Sequence, residues 1–313
     1  MIKVGISHCL LGAPVRFDGG HKQNRFCKNE LAQFIEYVPL CPEVGIGMST
    51  PRKTLRLVGD PEQPRAVFSN GDDGDFTEQL SEFADKNQSK LESLSGYIFC
   101  KASPSCGMER VKVYSEKGQA QRNGMGIFAA RVKQLNPILP LEEDGRLHDP
   151  LLRDSFIKRI FIYSEWKNLV ASGLTVSALQ KFHARHKLSL MSHSQPTYKF
   201  LGPLVAKLTK DNLIEESQRY ISHLMNGFKK VATRKNNANV LMHLQGYLKK
   251  EVDLADRKEL TECIQDYRKG LLPILSPLTL LKHHFNKHPN DYISQQSFLD
   301  PYPKELAIRV VMQ

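Results

Sequence analysis

The chain has 313 residues, a formal net charge of +11 and six cysteines. That length can bury one large core or two ordinary ones, and two domains are expected. Its 41% hydrophobic content is that of a globular protein, and no apolar run is long enough to span a bilayer. Six cysteines in so long a chain do not form a disulfide framework, so the helical membrane-spanning and disulfide-stapled classes are both excluded.

The charge is unevenly placed. Residues 1–150 carry 19 Lys+Arg against 19 Asp+Glu, and residues 151–313 carry 25 against 14, so the whole excess lies in the second half. Eight of the 11 histidines lie there too. A basic half joined to a neutral one reads as a polyanion-binding module serving a separate chemical site, with a solvated basic surface as the equal alternative.

Met1-Ile2-Lys3 runs directly into Val4-Gly5-Ile6 without a long apolar region and small-residue cleavage site, which predicts a cytoplasmic protein. Ile2 to Ile6 reads as a short buried strand, and Gly12 to Asn24 as the loop after it. Cys9 sits where the strand ends. Asn29 to Tyr37 is expected to be helical and Val38-Pro39-Leu40 extended, so Cys41-Pro42-Glu43 opens a loop at a second strand end. Asp75 to Leu94 has helical spacing at Phe76, Leu80, Phe83, Leu91 and Leu94. Gly96 to Lys101 is a third strand, delivering Ser103-Pro104-Ser105-Cys106 into a third loop. Gly124-Met125-Gly126 before Ile127 looks like a turn opening a helix whose amides can hold an anion.

Strands alternating with helices predict an α/β first domain with a mostly parallel sheet, spanning residues 1–148, where ligands gather beyond the carboxyl ends of the strands. From Pro150 onward the periodicity is helical over Arg153 to Ala171, Val176 to Met191, Asp211 to Val231, Ala238 to Lys250 and Arg257 to Leu272. Prolines at 196, 203, 273 and 277 interrupt it. Residues 149–313 are therefore expected to form an all-α second domain.

Ser7-His8-Cys9-Leu10-Leu11-Gly12, Leu40-Cys41-Pro42-Glu43 and Ser103-Pro104-Ser105-Cys106-Gly107 each set one cysteine among small, turn-forming residues. Three thiols at strand ends without a fourth suggest a metal centre with an open coordination position for substrate or water. The gaps of 31 and 64 residues between them match no zinc knuckle, ferredoxin run or radical-enzyme motif, and a three-cysteine zinc hydrolase stays open. Cys27, Cys100 and Cys263 read as ordinary buried thiols.

In the basic half, His183-Ala184-Arg185-His186-Lys187, Phe228-Lys229-Lys230 with Arg234-Lys235, and Lys282 to His288 interleave cations with aromatics. Cations neutralise phosphate, whereas Phe228 and Phe285 read as core. His283 and His284 have no third ligand at metal spacing, and no metal is assigned there.

The first half resembles the iron–sulfur-dependent thiouracil desulfidases. The three cysteine runs, Arg16-Phe17-Asp18-Gly19 and Pro51-Arg52 match that family's motifs in order. The region from about Arg185 to Arg309 is similar to the helical domain fused to desulfidases that act on 4-thiouridine in tRNA, through His186 to Ser194 and Tyr198-Lys199-Phe200-Leu201-Gly202. The resemblance implies that Cys9, Cys41 and Cys106 hold a 4Fe-4S cluster with one open iron. A soft iron there binds the thiocarbonyl sulfur while water adds to its carbon. It also implies that Glu43 is the general acid/base, the alternative being a carboxylate capping loop amides, and that Ser103 positions substrate or relays a proton. Ser105 reads as a turn residue and His8 as packing behind the site. Arg16, Asp18 and Arg52 either shape the pocket or pair within the fold.

The resulting expectation is a tRNA 4-thiouridine desulfidase whose second domain holds tRNA through Lys187, Lys199, Lys229, Lys230, Arg234 and Lys235, with thiolated pyrimidine as substrate and no membrane partner. The alternatives are a desulfidase of free thiopyrimidines and a tRNA-binding protein with a structural or sensing cluster. Gly45-Ile46-Gly47-Met48 stands where the free-base enzymes carry a double glycine, which ranks free thiouracil second.

Overall fold

Among the described residues eight strands follow one another in chain order: β1 (Ile2–Ser7), β2 (Ile35–Leu40), β3 (Leu55–Val58), β4 (Arg65–Phe68), β5 (Tyr97–Phe99), β6 (Val111–Tyr114), β7 (Ala120–Gly124) and β8 (Leu141–Glu143). In this computed structural model, which describes residues 1–115 and 117–311, the chain divides into two compact units, Met1–His148 and Asp149–Gln313. All eight strands lie in the first unit. They build two sheets, a parallel one in the order β2-β1-β5-β8 and a mixed one in the order β4-β3-β6-β7.

Three strands of the parallel sheet, β1, β2 and β5, are the expected ones, and β8 is an addition to them. Val4 and Ile6 of β1 and Tyr97, Ile98 and Phe99 of β5 are buried, as strands covered on both faces require. Gly5 pairs with Tyr97, and a Cβ on Gly5 would stand 2.2 Å from the tyrosine ring, so only glycine fits. The second sheet is an addition to the expected fold. Its signal is present in Leu55-Arg56-Leu57 and Val111-Lys112-Val113, whose apolar members pack with Leu80 and Ile127, but segments of four residues give little periodicity to read.

The α-helices among the described residues of this unit are α1 (Pro42–Gly45), α2 (Thr77–Lys86), α3 (Gln88–Ser93) and α4 (Ile127–Leu135). The helix expected over Asn29 to Tyr37 is corrected. Helical turns occupy Phe26–Gln33 in two short pieces, and Ile35 to Tyr37 belongs to β2, where pairing with β1 overrides local helical preference. The Asp75 to Leu94 segment is two helices. Asn87 marks the break, donating its side-chain amide to the Phe83 carbonyl at 2.8 Å.

Within the second unit every regular element of the described residues is helical: α5 (Pro150–Ala171), α6 (Val176–His193), α7 (Gln195–Ala206), α8 (Leu213–Phe228), α9 (Arg234–Gly246), α10 (Leu254–Lys269), α11 (Leu275–Lys287) and α12 (Asp291–Ser294), with short 3-10 turns after them. The starts are capped as the sequence dictates. Asp149 accepts from the Leu151 and Leu152 amides, and Thr175, Ser194, Thr233 and Asp253 cap α6, α7, α9 and α10. Two prolines read as interruptions belong to α7: Pro196 is in its first turn, where no amide is needed, and Pro203 lies within it. Pro277 likewise sits near the start of α11.

Leu188, Leu241, Leu244, Leu260, Ile264 and Leu281 belong to one core cluster of this unit. Histidine and serine contacts of the His186 to Ser194 run are internal to this unit. The His186 ring bonds Ser297 Oγ at 2.9 Å, and His193 donates to the Lys230 carbonyl at 2.6 Å, tying α6 to the segment after α8. Burial pushes the His193 ring down to about 3, so it stays neutral in that bond. No helix of the described residues is long and apolar enough to cross a membrane.

Candidate active site

β1, β2 and β5 are neighbours running in one direction, with Ser7 opposite Leu40. Residues just past their carboxyl ends are therefore delivered to the same edge of the sheet. Cys9 lies in the 3-10 turn after β1, Cys41 immediately follows β2, and Cys100 to Cys106 follow β5. All four of these cysteines line one cavity of about 590 Å³, together with Glu43 and Ser103. Cys27 and Cys263 are not among its lining residues. None of the six cysteines is in a disulfide.

Cys100 is thus corrected from core thiol to cavity thiol. It is hydrogen-bonded to Cys9, its amide donates to Ser7 Oγ at 3.0 Å, and Lys22 Nζ stands 3.7 Å from its sulfur. The Cys9 bond, opposed by burial and aided by Lys22, holds the Cys100 thiol below its ordinary value, while the same bond, burial and the other thiols push Cys9 up. The sequence hides this residue, because the apolar strand before it makes it look like core.

Glu43 is held by side chains. Arg52 donates through Nε and Nη2 to Glu43 Oε2, both at 2.7 Å, and Ser105 Oγ donates to Glu43 Oε1 at 2.6 Å. Arg52 is only 6% exposed and Glu43 14%, so this doubly hydrogen-bonded pair is largely shielded. Arg52 also donates to the Val15 carbonyl at 3.0 Å, which fixes its plane. Among the described residues no loop amide donates to the carboxylate, which removes the capping alternative. Arg16 and Asp18 pair with each other, at 3.7 Å, at the cavity wall, and His8 lines the cavity as well.

Ser105, read as a turn residue, is the serine that touches Glu43. Ser103 stands one step behind it, with its Oγ 2.9 Å from Ser105 Oγ while accepting from the Cys106 amide at 3.1 Å. Glu43, Ser105 and Ser103 make a continuous hydrogen-bonded row.

The helix amides expected to hold an anion are already engaged. Ile127 N donates to the Pro104 carbonyl at 3.1 Å and Ala129 N to the Ser105 carbonyl at 3.2 Å, so α4 positions the cysteine loop. A Cβ on Gly126 would stand 2.6 Å from backbone atoms of Ser105 and 2.8 Å from Cys106 N. Backbone cannot yield as a side chain can, so Gly126→Ala is expected to destabilise the protein by about 1–3 kcal/mol. Thermal melting measures that loss, and iron analysis should show reduced loading as Cys106 is displaced.

The donor set fits an iron–sulfur group. The Cys106 thiol is raised first by burial and then by the charge of Cys41, Cys9 by its bond to Cys100 and by burial, and Cys41 by burial. None of the three ionises readily by itself, and thiolates form there when a cation arrives. The Tyr97 hydroxyl is fully buried, has no hydrogen-bond partner among the described residues, and lies within electrostatic range of Cys106, Cys41 and Cys9. Among the described residues no three His, Cys, Asp or Glu side chains close on a point as ligands of one ion. Each thiolate of a cubane binds its own iron, so such a group would take its three ligands farther apart than a single tetrahedral zinc would.

The residues expected to meet RNA fall into two places in the second unit. Lys187 and Lys199 line one cleft of about 410 Å³ between α6 and α7, with Gln180, His183 and Tyr198. Lys229, Lys230, Arg234 and Lys235 flank the link from α8 to α9, with Lys229, Lys230 and Lys235 exposed and the Arg234 guanidinium packed over Gly270. Phe228 is fully buried, as expected of core.

Residues 4–144 match the family described as 2-thiouracil desulfurase, and residues 187–303 match a family described as a protein of unknown function (DUF1722). The chain is 36% identical over 157 residues to the uncharacterized protein YbgA of Escherichia coli, a match covering 50% of this chain and 93% of YbgA. It is 29% identical over 137 residues to the uncharacterized protein YbbK of Bacillus subtilis, covering 41% of this chain and 88% of YbbK. Among solved structures it is similar to the 4Fe-4S-dependent thiouracil desulfidase TudS, with 25% identity, 47% of this chain and 94% of TudS covered, and a TM-score of 0.38.

Proposed function

We propose that this chain, which belongs to the family of Escherichia coli YbgA and has a family-level link to the thiouracil desulfidases through residues 4–144, is an iron–sulfur-dependent desulfidase. Its substrate in this reading is 4-thiouridine in tRNA, converted to uridine with release of sulfide. The observation that carries the reading is the gathering of Cys9, Cys41 and Cys106 around one cavity with Glu43 in its wall.

Cys9, Cys41 and Cys106 would hold the cluster. When bound, it supplies a soft Lewis acid for the thiocarbonyl sulfur. The protein's part is proton handling. The Glu43 carboxylate takes a proton from the water that adds to the thiocarbonyl carbon, and the row through Ser105 Oγ to Ser103 Oγ carries a proton onward. Arg52 keeps the carboxylate aimed by holding Oε2, which leaves Oε1 to exchange protons. The exchange of C=S for C=O consumes one water and needs no electron transfer. Lys229, Lys230, Arg234 and Lys235, with the Lys187 and Lys199 cleft, supply cations for the tRNA backbone.

A second reading is desulfuration of free thiopyrimidines. It is favoured by the match to the desulfurase family lying within the first unit, where the whole cavity also lies. Anaerobic incubation of the reconstituted full chain with thiolated tRNA and, separately, with free 4-thiouracil distinguishes the two. Nucleoside analysis is expected to show loss of 4-thiouridine from tRNA. Turnover of the free base alone would establish the second reading, and turnover of neither would reject both.

A further inference from the structure

The mixed sheet carries a second cavity, of about 420 Å³, that shares Leu55, Ala102 and Pro104 with the cysteine cavity as common wall. The two are therefore contiguous. The rest of this second wall holds Arg56, Arg110, Lys112 and Arg122 around Tyr114, and no carboxylate of the described residues lines it. Arg65, on the same sheet, has Asp75 as partner at 3.7 Å, whereas none of the four has an ion-pair partner among the described residues.

Strand register aligns three of these cations. Lys112 on β6 is directly paired with Arg122 on β7. Leu57 on β3 is paired with Val113 on β6, so Arg56 stands one step back, beside Lys112. Leu55, Leu57, Val111 and Val113 turn into the core, which puts Arg56 and Lys112 on the opposite, outward face. Adjacent strands are about 4.8 Å apart, so the three cations form a row across the sheet. Like charges directly opposite each other weaken a strand pair. The fold keeps this row although it costs stability and has, among the described residues, no ion-pair partner to neutralise it.

We propose that the row binds successive phosphates of an RNA strand, so that one base of that strand enters the adjoining cysteine cavity. The identity of that base as a thiolated pyrimidine rests on the desulfidase reading; the phosphate track rests on the row itself. A free nucleotide offers the same phosphate chemistry, but it would occupy only part of a row of three cations. The Tyr114 ring, with the Arg56 guanidinium 5.6 Å from its centre, adds a flat surface beside the track.

The test uses the full chain, loaded with iron and sulfide under anaerobic conditions, and a fluorescent RNA oligonucleotide of uridines without sulfur. The triple variant Arg56→Gln, Lys112→Gln, Arg122→Gln is expected to bind it at least tenfold more weakly. The slope of log affinity against log salt should fall by about 2, the value for three fewer contacts to a single strand. The charge-keeping variant Arg56→Lys, Lys112→Arg, Arg122→Lys should restore binding. On thiolated RNA the Gln variant should raise KM at least tenfold with kcat within twofold. Iron content matching wild type and a melting temperature at or above the wild-type value, as relief of the repulsion within the row predicts, show that the variant is folded. Unchanged affinity and slope would overturn the track, as would loss of kcat with KM unchanged. Displacement of the oligonucleotide by UMP at equal concentration would overturn the strand in favour of a single nucleotide. If no thiolated substrate is turned over but the binding loss is found, the desulfidase reading fails and the track stands.

Discussion

Alanine at Cys9, Cys41 or Cys106 is expected to abolish the iron–sulfur chromophore and the desulfurating activity together, with iron and sulfide falling to background. The three thiols come from three separate loops around one cavity, so no neighbouring thiol of the same loop replaces a lost one, except beside Cys106, where Cys100 is also present. Cys27→Ala and Cys263→Ala should leave chromophore and activity intact, because Cys27 is enclosed in a helical turn and Cys263 lies on α10, both away from the cavity lining. Cys100→Ala is the informative control. It removes the hydrogen-bond partner of Cys9 without touching the three proposed ligands, and the chromophore is expected to survive. Loss of the chromophore in that variant, with retention in one of the three, would reassign the ligand.

Glu43→Gln is expected to lower turnover by about 10²- to 10⁴-fold while iron and sulfide content stay at the wild-type level. The amide keeps the size of the carboxylate and can still accept from Arg52, but it cannot take a proton. Absorbance and metal analysis report the cluster, and single-turnover rates report the chemistry. A near-wild-type rate would return Glu43 to a purely structural part, anchoring Arg52. A colourless variant would show that the Glu43 to Arg52 pair acts by holding the loop of Cys41.

Much of this arrangement is legible without coordinates. The strands before Cys9 and before Ser103 to Cys106 can be read from their apolar runs, because a strand buried on both faces leaves a continuous signal, whereas β2, with Glu36 and Pro39 exposed, passes in its first half for helix. The helical second half is legible for the same reason of periodicity. What cannot be read is set by distant contacts. Ser105 reaches Glu43 across 62 positions of chain, and Lys22 reaches Asp144 across 122, so neither pairing leaves a local trace. Cys100 passes for core because burial of a strand and exposure of its final thiol to a cavity look alike in sequence. The neutral total of the first half conceals the row of Arg56, Lys112 and Arg122, since acidic residues elsewhere cancel those cations in the sum without neutralising them in place.

The placement of the cysteines on β1, β2 and β5 also sets an order of assembly. Parallel strands cannot pair through a tight hairpin, so Cys9, Cys41 and Cys106 meet only after crossover segments of 27 residues or more have folded and brought their strands into register. In the iron–sulfur reading, maturation of the centre would follow folding of the first unit, and a donor of iron and sulfide would meet the folded apoprotein at the mouth of the cavity.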